Sequence, residues 1–173
     1  MRDDGGKDGM PVKTGADLFK HELKDLYDAE FRQAQALTEM AEKVPDGKLA
    51  EALREHREET QGHIKRLESV FEAVGETPQK EACAGVIGLV KEYKDFTGEN
   101  PAGKVLNVFT AEAALKAEHY EIVSYSGLIK LAGQLGQTEV IDLLQQNLEE
   151  ELATAQNLEI MSEQLGEELA LQG

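Results

Sequence analysis

Apolar residues recur at three- and four-residue steps along most of the chain, which is the spacing that buries one face of an α-helix. The period-two alternation of β-branched residues that marks strands is missing, so strands are not expected. Prolines and glycines interrupt the helical pattern at only a few places. Between these breaks the pattern predicts five helical segments: 14–43, 47–74, 80–97, 102–132 and 138–165.

The connections between these segments predict how the helices are arranged. A tight turn at Val44–Gly47 and a break at Gly133–Gly136 each join two long helices, which should therefore be antiparallel neighbours. The much longer stretch between the second and third long helices contains the short segment 80–97. Two hairpins joined by a long crossover are typical of ferritin-like bundles. The predicted fold is therefore all-α, a ferritin-like four-helix bundle with an additional short helix in the crossover.

The chain of 173 residues is long enough for one domain with a sizeable core. We expect a single bundle domain over residues 14–166, in which Thr14 and Asp17 form a capping box at the first helix. Residues 1–13 are polar and glycine-rich, so they are expected to be a disordered tail.

Charge excludes several classes of function. The chain has 18 Lys and Arg against 34 Asp and Glu, a formal net charge of −16. Nucleic-acid binding is not expected, since it requires a basic face. The sequence offers neither a basic amphipathic stretch nor an apolar run long enough for a membrane helix, so no membrane partner is expected. The single cysteine, Cys83, fits a reducing cytoplasm.

Glutamates interrupt the apolar row of each long helix near its middle. Because mid-helix positions of antiparallel helices meet at one height, these glutamates and one histidine are predicted to converge. The predicted set is Glu30, Glu59, His63, Glu118, Glu121 and Glu151. Two alternatives stay open: His56 replaces or joins His63, and Glu150 replaces Glu151.

Such a cluster is costly unless its charge is neutralised, because a buried carboxylate without a partner costs several kcal/mol. The carboxyls can hold protons with raised pKa values, or they can bind a pair of metal ions. Carboxylates with one or two imidazoles suit iron or manganese, and zinc is a third candidate. In a chain this acidic, each glutamate taken singly is as readily explained as a solvated surface group.

Several stretches resemble a known family. Asp25-Leu26-Tyr27-Asp28-Ala29-Glu30, then the segment 56–63, then Glu118-His119-Tyr120-Glu121 are similar to the YciE/YciF family of bacterial ferritin-like proteins. The resemblance extends over residues 14–165 and implies a ferritin-like fold, homodimers, a di-metal centre and a link to stress responses.

The same residues resemble those of rubrerythrin-type di-iron proteins. That likeness implies that Glu30 is a first-helix ligand and that Glu59 and Glu151 bridge the metals. The sequence differs from the rubrerythrin-type pattern at two positions. His63 follows Glu59 by four residues instead of three, and Thr154 occupies the position of a fourth-helix histidine.

The function expected from residues and resemblance together is a di-metal redox protein of stress response acting on a small oxidant such as peroxide or oxygen. Two metal ions, iron first and manganese or zinc as alternatives, are the expected cofactors. Glu30 and Glu121 would be terminal ligands, with Glu118 and His63 completing the set. The alternative is a non-enzymatic stress or structural protein in which metal only stabilises the fold or is absent. Whether the protein is an enzyme stays open, and iron storage ranks last.

Overall fold

The chain is all-helical across residues 11–171, which is the range that the computed structural model describes. The five α-helices are α1 (Gly15–Lys43), α2 (Gly47–Ala73), α3 (Ala84–Thr97), α4 (Gly103–Leu135) and α5 (Ile141–Ala170), and a 3-10 turn at Thr138–Val140 precedes α5. The predicted all-α class is therefore confirmed, and α3 lies in the crossover as expected. Most of the predicted tail, residues 1–10, lies outside the described range. Within that range no helix combines the length and hydropathy that crossing a membrane requires.

Local chemistry explains where the helices begin and end. The predicted capping box is present: Asp17 N–H donates to Thr14 Oγ1, and the Asp17 carboxylate accepts from Thr14 N–H. Asp46 caps α2 by accepting from Leu49 N–H at 2.8 Å. Helix α4 continues through Gly133 and ends at Leu135, followed by Gly136, whose φ of 74° favours glycine.

Contacts near the helix ends fix the directions of α1 and α4. Asp46, which follows α1, donates its N–H to Asn107 Oδ1 near the start of α4 at 3.1 Å. Gly15, which begins α1, packs against Leu135 at the end of α4. These two helices are therefore antiparallel neighbours.

The other neighbouring pairs of long helices are also antiparallel. Tyr27 on α1 donates to Glu68 on α2, and Arg66 on α2 reaches Asn147 on α5. Helices α4 and α5 form the most extensive contact, and α1 packs on α2. Each neighbouring pair is antiparallel, and α2 and α4 run in the same direction because the crossover carries the chain back along the molecule.

Two apolar clusters divide the interior along its length. One cluster contains Phe19, Leu26, Leu67, Phe71 and Leu144 among others. The second contains the following buried residues: Leu37, Leu49, Leu53, Ala114 and Leu158. Each long helix also has buried polar residues between the two clusters, near the middle of the helix.

Helix α3 covers α1 and α4 from outside. The chain is anchored just before this helix, where Cys83 N–H donates to Asp28 Oδ2 at 2.9 Å. The Cys83 thiol lies 3.3 Å from the hydroxyl of Tyr120 on α4. Burial raises the pKa of this thiol, so it acts as a packing group in the first apolar cluster.

Candidate metal centre

A layer of ionisable side chains separates the two apolar clusters. All four long helices contribute to it, and the exposed fraction is 3% for one histidine and 0% for every other member. The layer consists of Glu30 from α1, His56 and His63 from α2, Glu118 and Glu121 from α4, and Glu151 from α5.

Five of these side chains form two groups of three that could each hold a metal ion. Glu30, His63 and Glu151 form the first group, and His56, Glu118 and Glu151 form the second. Within each group the candidate ligand atoms all lie within 4.8 Å of one another. Glu151 belongs to both groups, so its carboxylate stands where a bridging ligand between two neighbouring ions would stand.

Each histidine turns one ring nitrogen toward the carboxylates. His63 Nδ1 lies 2.9 Å from Glu151 Oε1 and 3.5 Å from Glu30 Oε1. His56 Nε2 lies 2.9 Å from Glu118 Oε1 and 3.8 Å from Glu151 Oε2. Despite these short distances, neither ring nitrogen has a hydrogen-bond partner among residues 11–171.

The carboxylates are also left without hydrogen bonds. Within the described part of the chain, neither oxygen of Glu118, Glu121 or Glu151 has a hydrogen-bond partner, and Glu30 Oε2 has none. Buried polar atoms in folded proteins are nearly always satisfied, so a set of orphaned atoms facing one another requires an explanation. A bound cation supplies one, because it would satisfy many of these lone pairs at once.

The electrostatics of the layer are those of crowded negative charge. Burial raises the pKa of Glu121 well above its usual value, and the nearby carboxylate of Glu30 raises it further. Burial and Glu118 also raise the pKa of Glu151, although His63 partly opposes that shift. Without an ion, the folded protein therefore retains protons on this layer.

For the two histidines, burial lowers the pKa and the neighbouring carboxylates raise it. Burial alone would lower the pKa of His63, but the negative carboxylates of Glu151 and Glu30 close to Nδ1 outweigh burial and raise it to about 10. The pKa of His56 is likewise raised well above its usual value, since Glu118 overcomes the effect of burial. Protonated imidazole rings therefore partly compensate the carboxylates in the metal-free protein.

The donor set fits a transition metal. Carboxylate oxygens with one imidazole nitrogen per group suit iron or manganese, and zinc accepts the same ligands. The orphaned atoms and the shared Glu151 are the observations that favour metal binding over a purely protonated cluster.

The structure brings together five of the six predicted residues and places Glu59 elsewhere. The Glu59 side chain is 48% exposed, and its Oε2 accepts a hydrogen bond from Thr154 Oγ1 at 3.2 Å. Thr60 occupies the interior position beside it and is fully buried. Glu59 therefore lies outside both groups of three.

The two open alternatives are placed as follows. His56 joins His63 in the buried layer and does not replace it. Glu151 is buried, whereas the Glu150 side chain is 38% exposed. Glu150 nevertheless accepts from His63 Nε2 at 2.9 Å, on the side of the ring that faces away from Glu151.

A chain of hydrogen bonds lies behind the layer, and its central residue, Asn147, was not singled out from the sequence. Tyr125 donates its hydroxyl hydrogen to Glu30 and accepts from Asn147 Nδ2 at 2.9 Å. Arg66 donates in turn to Asn147 Oδ1 and to Glu150. The available signal was that Asn147 lies one turn before Glu151, at a polar position within an apolar row.

Several known proteins resemble this chain along most of its length. The chain is 38% identical over 146 residues to the protein YciF of Escherichia coli K12, which covers 84% of this chain and 88% of that protein. The solved structure of the E. coli stress protein YciF superposes with a TM-score of 0.85 at 35% identity, covering 90% of this chain and 98% of that one.

Two further solved structures are similar. YcfI from Rhodopseudomonas palustris matches with a TM-score of 0.84 at 36% identity, over 89% of this chain and 96% of that chain. A protein from Xanthomonas campestris shares the fold with a TM-score of 0.74 at 19% identity, over 92% of this chain and 98% of that chain.

The predicted resemblance to YciF is therefore confirmed. Residues 14–170 match a single family along almost the whole helical region, and the chain belongs to that family, which is described as a domain of unknown function, DUF892.

Proposed function

We propose that this chain is a ferritin-like protein that binds two metal ions, iron first and manganese or zinc as alternatives, and serves a redox role in stress response. The observation that carries the proposal is Glu151, whose buried carboxylate is shared by two groups of candidate ligands. The description of E. coli YciF as a stress protein supports the physiological part.

The ferritin-like part of the proposal rests on topology. Four long helices run antiparallel to their neighbours, and the crossover through α3 makes α2 and α4 parallel. That arrangement of two hairpins and one long connection is the ferritin-like layout, in which facing helices supply inward carboxylates.

The residues divide between the two ions by position. Glu30 and His63 would hold one ion, His56 and Glu118 would hold the other, and Glu151 would bridge them. Glu121, with both oxygens orphaned in the same layer, is the remaining carboxylate available to either ion. A bound metal pair of this kind supplies redox chemistry toward a small oxidant such as peroxide or oxygen.

The protein's own groups would prepare that chemistry. The hydrogen bond from Tyr125 fixes the Glu30 carboxylate, and the contact with Glu150 fixes the His63 ring. Because the apolar clusters close the layer above and below, bulk water is excluded and the charges interact strongly.

The decisive experiment is iron loading followed by exposure to hydrogen peroxide. Purified protein should bind about two ions per chain, as expected of two-metal sites, and consume peroxide faster than the metal-free protein. Glu151→Gln should lose both properties, whereas Glu149→Gln, an exposed neighbour, should retain them. Iron stoichiometry near zero for the parent protein would refute the proposal.

A second candidate is a stress protein in which metal has no catalytic role. The raised pKa of His63, about 10, favours it, because imidazolium–carboxylate contacts partly neutralise the layer without metal. Peroxide consumption by the metal-loaded protein distinguishes the two candidate functions. A metal-loaded protein that gains thermal stability but consumes no peroxide supports the second.

We also propose that the protein forms a homodimer. Large apolar side chains are exposed on α4 and α5, with exposed fractions of 71% for Val123, 48% for Leu152 and 50% for Ile160. Sedimentation velocity should give twice the monomer mass, and Ile160→Lys should shift the equilibrium toward monomer.

A further inference from the structure

A pocket of about 220 Å³ opens between α2 and α5 directly beside the buried layer. Its deepest polar residue is His56, which is 3% exposed, and its outer residues include Glu59 and Thr154. A second pocket of about 350 Å³ between α1 and α3 touches none of the residues of the layer.

His56 connects the pocket to the carboxylates. On the outer side of its ring, Nδ1 lies 3.4 Å from Glu59 Oε2 and 3.4 Å from Thr154 Oγ1. On the inner side, Nε2 lies 2.9 Å from Glu118 Oε1 and has no hydrogen-bond partner in the part of the chain that the structure describes. The imidazole ring of His56, itself a candidate ligand, therefore separates the pocket from the carboxylates of the layer.

The charge of the pocket matches a cation. Among the residues that the structure describes, Glu55 and Glu59 are the only charged ones that line it apart from His56, and no lysine or arginine does so. A cleft lined by one sign of charge concentrates ions of the opposite sign and speeds their association. The route past Glu150 is different, because Arg66 occupies it and contacts that carboxylate.

We propose that this pocket is the path by which divalent cations reach the buried carboxylates, with Glu59 and Thr154 holding the incoming ion before it passes His56. The inference rests on the proposed metal centre and assigns a role to Glu59, which lies outside both candidate ligand groups. Glu59 then controls the rate of loading, and the buried residues control the affinity.

The test measures the rate and the extent of Co²⁺ binding separately, by stopped-flow absorbance and by equilibrium dialysis. Glu59→Gln removes the charge at the mouth, and Thr154→Phe fills the pocket. Both variants should reach the stoichiometry of the parent protein but load about 10-fold more slowly, as expected when electrostatic attraction is lost or access is blocked.

Two substitutions that do not touch the pocket are the matched controls. Glu58→Gln removes a charge from an exposed side chain beside Glu59, and Gln61→Phe adds an aromatic ring to an exposed position of α2. Both should load at the parent rate. Circular dichroism confirms that each variant is folded, and Glu59→Gln keeps the test valid if Thr154→Phe does not fold.

Three results overturn the inference in distinguishable ways. Parent-like loading by both Glu59→Gln and Thr154→Phe would show that ions enter elsewhere. A reduced stoichiometry in Glu59→Gln would make Glu59 a ligand and not an access residue. Failure of the parent protein to bind Co²⁺ at any concentration would instead remove the metal centre on which the inference rests.

Discussion

His63 Nδ1 lies 2.9 Å from Glu151 Oε1, and neither side chain has any exposed surface. In the metal-free protein this contact holds a proton on the imidazole, whose pKa is raised to about 10. A metal ion bound at the same nitrogen must take the place of that proton. The pair therefore couples metal binding to pH.

We expect metal binding to release protons, because the ligating atoms must be deprotonated. Calorimetric titration with Mn²⁺ in two buffers of different ionisation enthalpy should show a buffer-dependent heat, and affinity should rise between about pH 6 and 8. Identical heats in the two buffers, with an affinity that does not change with pH, would contradict the assignment of His63 as a ligand.

The metal-free protein should become less stable as pH rises. The pKa values of Glu121 and Glu151 are higher in the folded protein than in the unfolded chain. Their destabilising effect on the folded protein is therefore absent below about pH 4.5 and grows above it. The contribution of His63 is complete below pH 6.5 and is lost as pH rises through about 10.

The glutamates and His63 both lower the free energy of unfolding as pH rises, since the folded state binds more protons than the unfolded one. Each extra proton changes the free energy of unfolding by about 1.4 kcal/mol per pH unit. Urea unfolding of chelator-treated protein from pH 5 to 9 should therefore show a falling free energy of unfolding. A rise over that interval would show that the layer does not retain protons.

Tyr125→Phe tests the hydrogen-bond chain behind the layer. Losing the hydroxyl frees the Glu30 carboxylate and leaves Asn147 Nδ2 with one partner fewer. Metal affinity should fall roughly 10- to 100-fold, as is usual when a group orienting a ligand is removed. Tyr27→Phe is the control, because Tyr27 is also buried but donates to Glu68 at 2.9 Å. Equal affinities in the two variants would assign Tyr125 a packing role only.

Two glycines of α3 should respond to alanine in opposite directions. A Cβ at Gly85 would lie 2.7 Å from Cζ of the Tyr120 ring, whereas one at Gly88 would meet nothing within 4 Å. Gly85→Ala should cost about 1–3 kcal/mol by forcing the ring aside. Gly88→Ala should add about 0.5–1 kcal/mol through helix propensity. Thermal melts of the two metal-free variants measure both effects, and a stabilised Gly85→Ala would show that α3 packs less closely than described.

The spacing of apolar residues was sufficient to predict the helices and the level along them at which the buried polar layer lies. Each long helix has one apolar face, and the residues that interrupt it fall between the two apolar clusters. Chain breaks likewise predicted the two hairpins. The end of α4 was placed too early because Gly133 is tolerated inside a helix whose neighbours are good helix formers.

The exact register around Glu59 could not be obtained from spacing alone. On a helix with 100° per residue, Thr60 and Glu59 fall on opposite sides of His56, at about 40° and about 60°. Either could face the interior, and packing against α5 turns Thr60 inward and Glu59 toward Thr154. Asn147 was missed for a related reason, because its partners Tyr125 and Arg66 come from two other helices.

Anomalous diffraction from crystals of iron-loaded protein, measured at the iron edge, is the most direct test of the metal centre. Two peaks about 3.5–4 Å apart are expected, one beside Glu30 and His63 and the other beside His56 and Glu118, with Glu151 between them. Crystals of fully loaded protein with no anomalous peak among these five side chains would contradict the central claim.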